Sequence, residues 1–376
     1  MKIGIHKETT ESEKRVALTP EGVKKLVNDN KMVLVESGAG VASSYPDDAF
    51  IEAGAEIVQD KKTLFSKADL IVSFNFPDES HIKNMKEGAA IVCFVWTLQN
   101  KARVELLKKQ KITAFAMEAI PRISRAQVMD ALSSMSNIAG YKSVLIGANE
   151  LDRYLPMMMT AAGTIPPAKV MVLGAGVAGL QAIATAKRLG AVVEAYDIRP
   201  AVKEQVESLG AKFIEVPIEE EEETETEGGY AKEASKRHQE KQKEVTHQHV
   251  KKSDIVITTA LIPGKPAPKL VTREMVEDMS PGSVVVDLAA EQGGNCELTE
   301  ADKTVIHNGV KIVGPLNLAS TLAYHASKLY SKNILSLLDL LIKDDNLNMD
   351  FDDEIILNTT ITHNGKVISP MLKEND

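Results

Sequence analysis

The sequence predicts an α/β protein of two domains, each a parallel β-sheet with helices on both faces. Three observations carry that prediction. Short runs of Val, Ile, Leu and Ala alternate with helical patterns along most of the chain. The 376 residues exceed one ordinary domain. Apolar residues (44%) and charged residues (26%) stand in globular balance. Aromatics are scarce at 4%, so the core must be mostly aliphatic.

Lys2–Ile5 reads as a strand and Pro20–Asn28 as a helix. Met32–Val35 is a strand that runs into the turn Ser37-Gly38-Ala39-Gly40. Asp69–Phe74, Ala89–Val95 and Thr113–Ala116 are further strands, with a helix at Asn100–Lys109 between the last two. A second βαβ series follows, with strands at Val170–Leu173, Val192–Tyr196, Lys212–Glu215, Ile255–Thr258, Val284–Asp287 and Val310–Val313. Two long helical stretches link the series, Gln127–Tyr154 and Ser320–Lys343, the latter with apolar residues at Leu322, Leu329, Ile334, Leu335, Leu338 and Leu341. The second returns the chain to the first domain, whose end is formed by strand-like Ile355–Leu357 and Val367–Ile368. The first domain is therefore expected to be discontinuous, residues 1–130 plus 320–376, around a second at 131–319, with a ligand cleft between them.

A net charge of −9 argues against a nucleic-acid partner, because phosphates are repelled. The two cysteines, Cys93 and Cys296, fit no metal-ligand spacing and read as buried thiols of a reducing compartment. No metal site is expected. His247 and His249 read as solvated surface, and His6, His307, His325 and His363 are scattered. The opening residues read as a strand rather than a signal peptide, and no apolar run approaches the roughly 20 residues of a membrane helix. A soluble protein is expected. Ile218–Glu227 is dense in glutamate and is followed by Gly228-Gly229-Tyr230 and a polar stretch to His249, which reads as an exposed, mobile excursion. It is either a solvated insertion or a flap over a ligand, with Tyr230 at its end.

Lys169-Val-Met-Val-Leu-Gly174-Ala-Gly176-Val-Ala-Gly179 sets a G-x-G-x-x-G run directly after a hydrophobic strand and before a helical pattern, Leu180–Leu189. Gly174 permits the tight turn, Gly176 lets backbone approach a pyrophosphate, and Gly179 allows helix–strand packing. The phosphates would lie at the helix N-terminus, where unpaired N–H groups and the dipole favour anions. The next strand ends at Asp197, near the spacing at which a carboxylate grips a ribose 2′-hydroxyl. This is the fingerprint of a Rossmann-like dinucleotide site. A carboxylate there repels a 2′-phosphate and favours NAD over NADP, although Arg199 could welcome that phosphate.

Between the two series, Met117 to Asn137 is dense in polar groups, with Arg122 and Arg125 ahead of a helix and Gln127, Asp130, Ser133 and Ser134 in its first turns. These residues read either as ordinary helix capping or as a carboxamide-binding and hydride-transfer site.

Seven segments together resemble the NAD(H)-binding component, domain I, of proton-translocating nicotinamide nucleotide transhydrogenases. They are Arg15-Val-Ala-Leu-Thr-Pro20, Pro121-Arg-Ile-Ser-Arg-Ala-Gln127, Met157-Met-Met-Thr-Ala-Ala-Gly-Thr164, Gly174–Gly190, Gly228-Gly-Tyr-Ala-Lys-Glu233, Thr259-Ala-Leu-Ile-Pro-Gly-Lys-Pro-Ala-Pro268 and Glu291-Gln-Gly-Gly-Asn-Cys296. The resemblance implies NAD(H) on this chain, NADP(H) on a partner component, and a further component that spans the membrane. It implies direct, Re/Si-specific hydride transfer between the two nicotinamides, coupled to proton movement. It also implies a homodimer, peripheral on the cytoplasmic side of the inner membrane. Carried over by motif, Arg122, Gln127, Asp130 and Ser133 should surround the nicotinamide and the domain contact. Val177, Asp197, Arg199, Gly229, Tyr230, Gln242 and Leu261 should line the remainder of the nucleotide.

Alanine dehydrogenases share this plan. Their chemistry takes a proton from nitrogen and hydrolyses an imine, so it needs a positioned base and a cation. Where that family has a lysine and a histidine, this chain has Ser73-Phe-Asn75-Phe-Pro77 and Phe94-Val-Trp96-Thr-Leu98, and the family's aspartate is matched by Glu291.

Overall fold

The computed structural model describes residues 1–216, 236–262 and 265–373. The chain divides into two compact units, Met1–Met135 with Ala319–Asp376 and Ser136–Leu318. In chain order, unit one opens with β1 (Lys2–Ile5), β2 (Met32–Glu36), β3 (Glu56–Val58), β4 (Leu70–Asn75), β5 (Ala90–Phe94) and β6 (Thr113–Ala116). Unit two holds β7 (Met158–Thr160), β8 (Gly163–Ile165), β9 (Lys169–Leu173), β10 (Val192–Tyr196), β11 (Lys212–Phe213), β12 (Ile255–Thr258), β13 (Val284–Asp287), β14 (Thr304–His307) and β15 (Val310–Val313). Unit one closes with β16 (Ile342–Lys343), β17 (Asn346–Leu347), β18 (Thr360–His363) and β19 (Lys366–Val367).

Unit one is built on an eight-stranded sheet in the order β19-β18-β6-β5-β4-β1-β2-β3. The strands from β6 to β3 are parallel, while β18 and β19 add an antiparallel edge. Parallel strands covered by helices on both faces have no polar side to offer, so they read as continuous apolar runs. One face buries Ile3, Ile5, Val33, Val35, Leu70, Val72 and Val92 with Tyr330, Ile334, Leu337, Leu338 and Leu341 of the long helix Ala323–Leu341. The opposite face buries Leu34, Ile71, Ile91 and Ala114 with Leu64, Phe65, Val104 and Leu107.

The long helix is also pinned by hydrogen bonds. Val16 N–H donates to the Ser327 hydroxyl (3.0 Å) and Thr19 N–H to that of Ser331 (3.2 Å), and just ahead of the helix the Ser320 hydroxyl accepts the Lys14 N–H (2.8 Å). The segment from Arg15 to Pro20 thus lies along this helix, with the N–H groups of Val16 and Thr19 satisfied by its serines.

Unit two is a seven-stranded sheet in the order β11-β10-β9-β12-β13-β15-β14, parallel except for β14. Chain order reverses between β9 and β12. Helix Val177–Arg188 buries Ala182, Ile183 and Ala186 against Val170, Val172, Val193 and Ala195. The outlying hairpin β7–β8 is exposed, with Met159 at 75%.

Several sequence expectations change. Ile355–Leu357 is not a strand: it lies in helix Glu354–Thr359, because the Asp353 carboxylate caps the N–H groups of Ile355 and Ile356. A good N-cap outweighs the weak β preference of a short isoleucine pair. The strand of the tail is β18, which pairs antiparallel with β6 at Thr360–Phe115 and Thr362–Ala114. Leu329, read as part of the apolar face, is exposed, and Tyr330 is buried in its place. The helix expected from Gln127 starts at Ala131, preceded by a 3-10 stretch, Ser124–Met129. The polar stretch read as an excursion as far as His249 is helical from Lys236 to Val250, with Thr246 and Val250 buried.

Candidate functional site

In unit two, the carboxyl ends of β9 and β12 lie side by side where strand order reverses, the position at which open α/β sheets bind ligands. β9 leads into Gly174, whose φ of +100° demands glycine. A methyl built on Gly174 would stand 2.6 Å from the Thr259 hydroxyl, and one on Gly179 would stand 1.8 Å from the Gly174 carbonyl oxygen. These two glycines therefore close the turn down on itself and on the segment after β12. Gly176 behaves differently: a methyl there would meet nothing within 4 Å. It opens helix Val177–Arg188 with no side chain capping it, so the first-turn N–H groups face an open approach. This is a cradle suited to a pyrophosphate. Val177, next to it, is exposed.

Asp197 follows β10 and is buried. Its Oδ2 accepts the Ala175 N–H at 2.7 Å, which ties the glycine turn to the neighbouring strand. Its other contacts are to Arg199: Oδ1 accepts the backbone N–H and Nε–H of Arg199, both at 2.9 Å, and Oδ2 accepts an Nη2–H at 2.9 Å. The sequence set these two residues in opposition, one repelling a 2′-phosphate and the other attracting it. In the fold they form one locally neutral pair.

After β12, the Thr259 hydroxyl donates to the Gly174 carbonyl at 3.0 Å, and Leu261 stands exposed two residues on. Gln242 is half-buried on helix Lys236–Val250. Gly229 and Tyr230 lie outside the described residues. His247 meets Asp278 (3.1 Å) and His249 meets Glu194 (2.6 Å). Among the described residues, no group of three or more His, Cys, Asp or Glu could hold a metal.

The second set of expected residues lies at the end of unit one's first segment. Arg122 and Gln127 are exposed, and Asp130 and Ser133 are half-buried. Asp130 caps helix Ala131–Glu150: its carboxylate accepts the Ser133 N–H (2.9 Å) and the Ser133 hydroxyl (2.5 Å). Arg125 makes a two-pronged ion pair with Asp353 (2.8 and 2.9 Å), the cap of helix Glu354–Thr359.

Sequence reasoning missed a buried polar cluster where unit one's own strand order reverses, at the ends of β1 and β4. Glu8 accepts from Phe74 N–H (2.8 Å) and from the Asn75 side chain (3.2 Å), and Asn75 also donates to Glu13 (3.1 Å). Glu13 in turn grips Arg15 through two 2.6 Å bonds, with the guanidinium 3.5 Å over the Phe74 ring. Neither Ser73–Pro77, at the end of β4, nor Phe94–Leu98, at the end of β5, holds a lysine or a histidine. Trp96 has φ +54° and stacks on Phe94 at 5.2 Å. The Glu118 carboxylate accepts the N–H groups of Val95 (3.0 Å) and Thr97 (3.3 Å) on either side of it. Glu291 accepts the Asn317 N–H at 3.0 Å. Also missed was Asn295, quoted within a motif but given no role. Its partners are 27 and 35 residues away, a distance that no local pattern reveals.

Residues 4–139 match the family described as Alanine dehydrogenase/PNT, N-terminal domain, and residues 143–370 match its C-terminal domain. The chain is 53% identical over 379 residues to the first portion of the NAD(P) transhydrogenase subunit alpha of Rhodospirillum rubrum, covering 99% of each. It superposes on the crystal structure of transhydrogenase from Sinorhizobium meliloti with a TM-score of 0.86 at 46% identity, covering 99% of this chain and 100% of the other. At lower identity, 32%, it matches alanine dehydrogenase 2 of Staphylococcus aureus over 88% of this chain and 86% of that protein.

Proposed function

The chain belongs to the alanine dehydrogenase/PNT family, and we propose that it is the NAD(H)-binding subunit of a proton-translocating NAD(P) transhydrogenase. The observation that carries the nucleotide reading is the contrast within one turn: Gly174 and Gly179 admit no side chain, while Gly176 faces open space at an uncapped helix start. That contrast fits a backbone surface kept clear for phosphates, with Asp197 and Arg199 beside the adenosine ribose and Leu261, Val177 and Gln242 lining the remainder. Gly229 and Tyr230 are proposed to close over the nucleotide. The Asp197–Arg199 pair favours NAD(H) over NADP(H), since neither group offers an unengaged cation to a 2′-phosphate.

When bound, NAD(H) supplies or accepts a hydride at its nicotinamide, the other nicotinamide being that of NADP(H) on the partner component. This chain's residues need move no substrate proton. Their work is to hold the carboxamide and ribose, exclude water and meet the partner. Arg122 orients the nicotinamide and Gln127, exposed beside it in sequence, meets the NADP(H)-binding component. Asp130 and Ser133 serve the carboxamide or ribose from a cap whose internal hydrogen bonds fix both side chains. The membrane-spanning role is proposed for a separate component; no described helix of this chain is long and apolar enough to cross a membrane. The chain is proposed to work as a homodimer on the cytoplasmic face of the inner membrane.

Within the family, amino-acid oxidation is the alternative, and two features weigh against it. Ser73–Pro77 and Phe94–Leu98 supply neither lysine nor histidine, and Arg15, in the buried cluster with Asn75, is paired with Glu13. The identity to transhydrogenase alpha subunits is also the higher of the two. The test is to mix the purified chain with a transhydrogenase NADP(H)-binding component and follow transfer from NADPH to an oxidised NAD analogue. Transfer should need both proteins and be lost in Arg122→Ala or Gln127→Ala, with NADH binding retained. Turnover of an amino acid by this chain alone, with no transfer to a docked and active partner, would overturn the proposal.

A further inference from the structure

We propose that Asn295 is a positioning residue for the nucleotide site, holding the Thr259–Leu261 segment as a wall beside the glycine turn; this rests on the NAD(H) reading above. Asn295 is wholly buried. Its Oδ1 accepts the Ala260 N–H at 3.0 Å, and its Nδ2 donates to the Ala260 carbonyl at 2.9 Å and the Pro268 carbonyl at 2.8 Å. One side chain thereby fastens both Ala260, next to Leu261, and Pro268. Only a carboxamide offers an acceptor and two donors in one plane; a carboxylate would set one of its oxygens against two carbonyls, and an alkyl group would leave all three partners unmet in a buried place.

Asn295 is itself held firmly. Its backbone carbonyl accepts the N–H groups of Leu270 (2.8 Å) and Val271 (3.0 Å). On either side of it, Lys269 Nζ donates to the carbonyls of Gly293 (2.5 Å) and Gly294 (2.8 Å), and the buried Asp287 carboxylate accepts the Cys296 N–H (2.9 Å) and the Thr299 hydroxyl (2.6 Å). The fastened segment bears directly on the glycine turn, since the Thr259 hydroxyl donates to the Gly174 carbonyl and leaves no room for a methyl on Gly174. Releasing Ala260 therefore loosens the wall, Leu261 with it, through a substitution outside the residues proposed to line the nucleotide.

The test uses the full chain with Asn295→Ala and Asn295→Asp. It reads NADH binding by fluorescence and, without nucleotide, amide hydrogen exchange across residues 259–262. Asn295→Ala should speed that exchange and weaken NADH by about tenfold or more while unfolding stays cooperative. Asn295→Asp should bind weakly at about pH 8 and recover at about pH 5, because burial against two carbonyls raises the carboxyl above its ordinary value of about 3.9, so that at about pH 5 it is protonated and donates to one of them. The charged groups packed around it, Asp287 and Lys269, are present in the wild type too, whose affinity should stay level over the same range. Unchanged exchange in Asn295→Ala, or an Asn295→Asp affinity that ignores pH, would overturn the positioning role. If Asn295→Ala does not fold, the Asn295→Asp pH comparison decides alone. A wild-type chain that binds no NADH would be a separate result, sinking the nucleotide reading and this role with it.

Discussion

Glu8→Gln should change how unit one responds to pH, and the size of the change follows from the cluster at the ends of β1 and β4. Burial, with the Glu13 carboxylate next in weight, pushes the Glu8 carboxyl from 4.5 up to about 7. His6, its neighbour at 3.8 Å, goes the other way: burial pushes the imidazole from 6.5 down to about 3. In the unfolded chain the last proton of the pair sits on the histidine, and in the fold it sits on the glutamic acid. Between pH 4.5 and about 7 folded Glu8 keeps a proton that the unfolded chain has released, so its contribution is fully present below 4.5 and is lost as pH rises through 7. At about 1.4 kcal/mol per pH unit that loss is about 3 kcal/mol. Folded His6 refuses a proton that the unfolded chain takes up below 6.5, so its contribution is present above that pH and is lost as pH falls toward about 3. From 4.5 to 6.5 the two slopes oppose each other and nearly cancel.

The glutamine removes one slope and leaves the other. The stability of wild type relative to Glu8→Gln should therefore fall by about 3 kcal/mol between pH 4.5 and 7. The chain's single tryptophan, Trp96, lies in unit one, so its fluorescence during urea unfolding follows that unit. Comparing the two proteins at each pH cancels the titrating groups remote from Glu8. A difference that stays level, within about 0.5 kcal/mol over this range, would show that Glu8 is ionised in the fold and refute the reasoning.

The glycine turn predicts a contrast: Gly179→Ala should destabilise unit two by about 3 kcal/mol or more, because its methyl would overlap the Gly174 carbonyl, as thermal unfolding would register. Gly176→Ala, whose methyl meets nothing, should leave stability within about 0.5 kcal/mol and weaken NADH, read by equilibrium binding. Asp197→Asn should remove the carboxylate half of the Asp197–Arg199 ion pair and cost roughly 3 kcal/mol of stability. It should also narrow the preference for NADH over NADPH by about tenfold, measured as a ratio of dissociation constants.

The parallel strands were legible because strands buried on both faces must be apolar along almost their whole length, so Val170–Leu173, Ile255–Thr258, Val284–Asp287 and Thr113–Ala116 are marked by composition alone. The glycine turn was legible for a related reason: strand, turn and helix are consecutive, so spacing carries the geometry. Edge and tail elements were not, because a strand such as β18 owes its state to a partner about 250 residues away, and Ile355–Leu357 owes its helix to one capping aspartate. Site residues divide the same way. Composition and order determined which residues could form a phosphate cradle and that lysine and histidine are missing from Ser73–Pro77 and Phe94–Leu98. Only the tertiary structure decided that Arg199 turns onto Asp197, that Glu8, Glu13 and Asn75 share one buried network, and that Asn295 fastens Ala260. Those are contacts between side chains and distant backbone, where burial makes each hydrogen bond matter and sequence separation hides which pairs will meet.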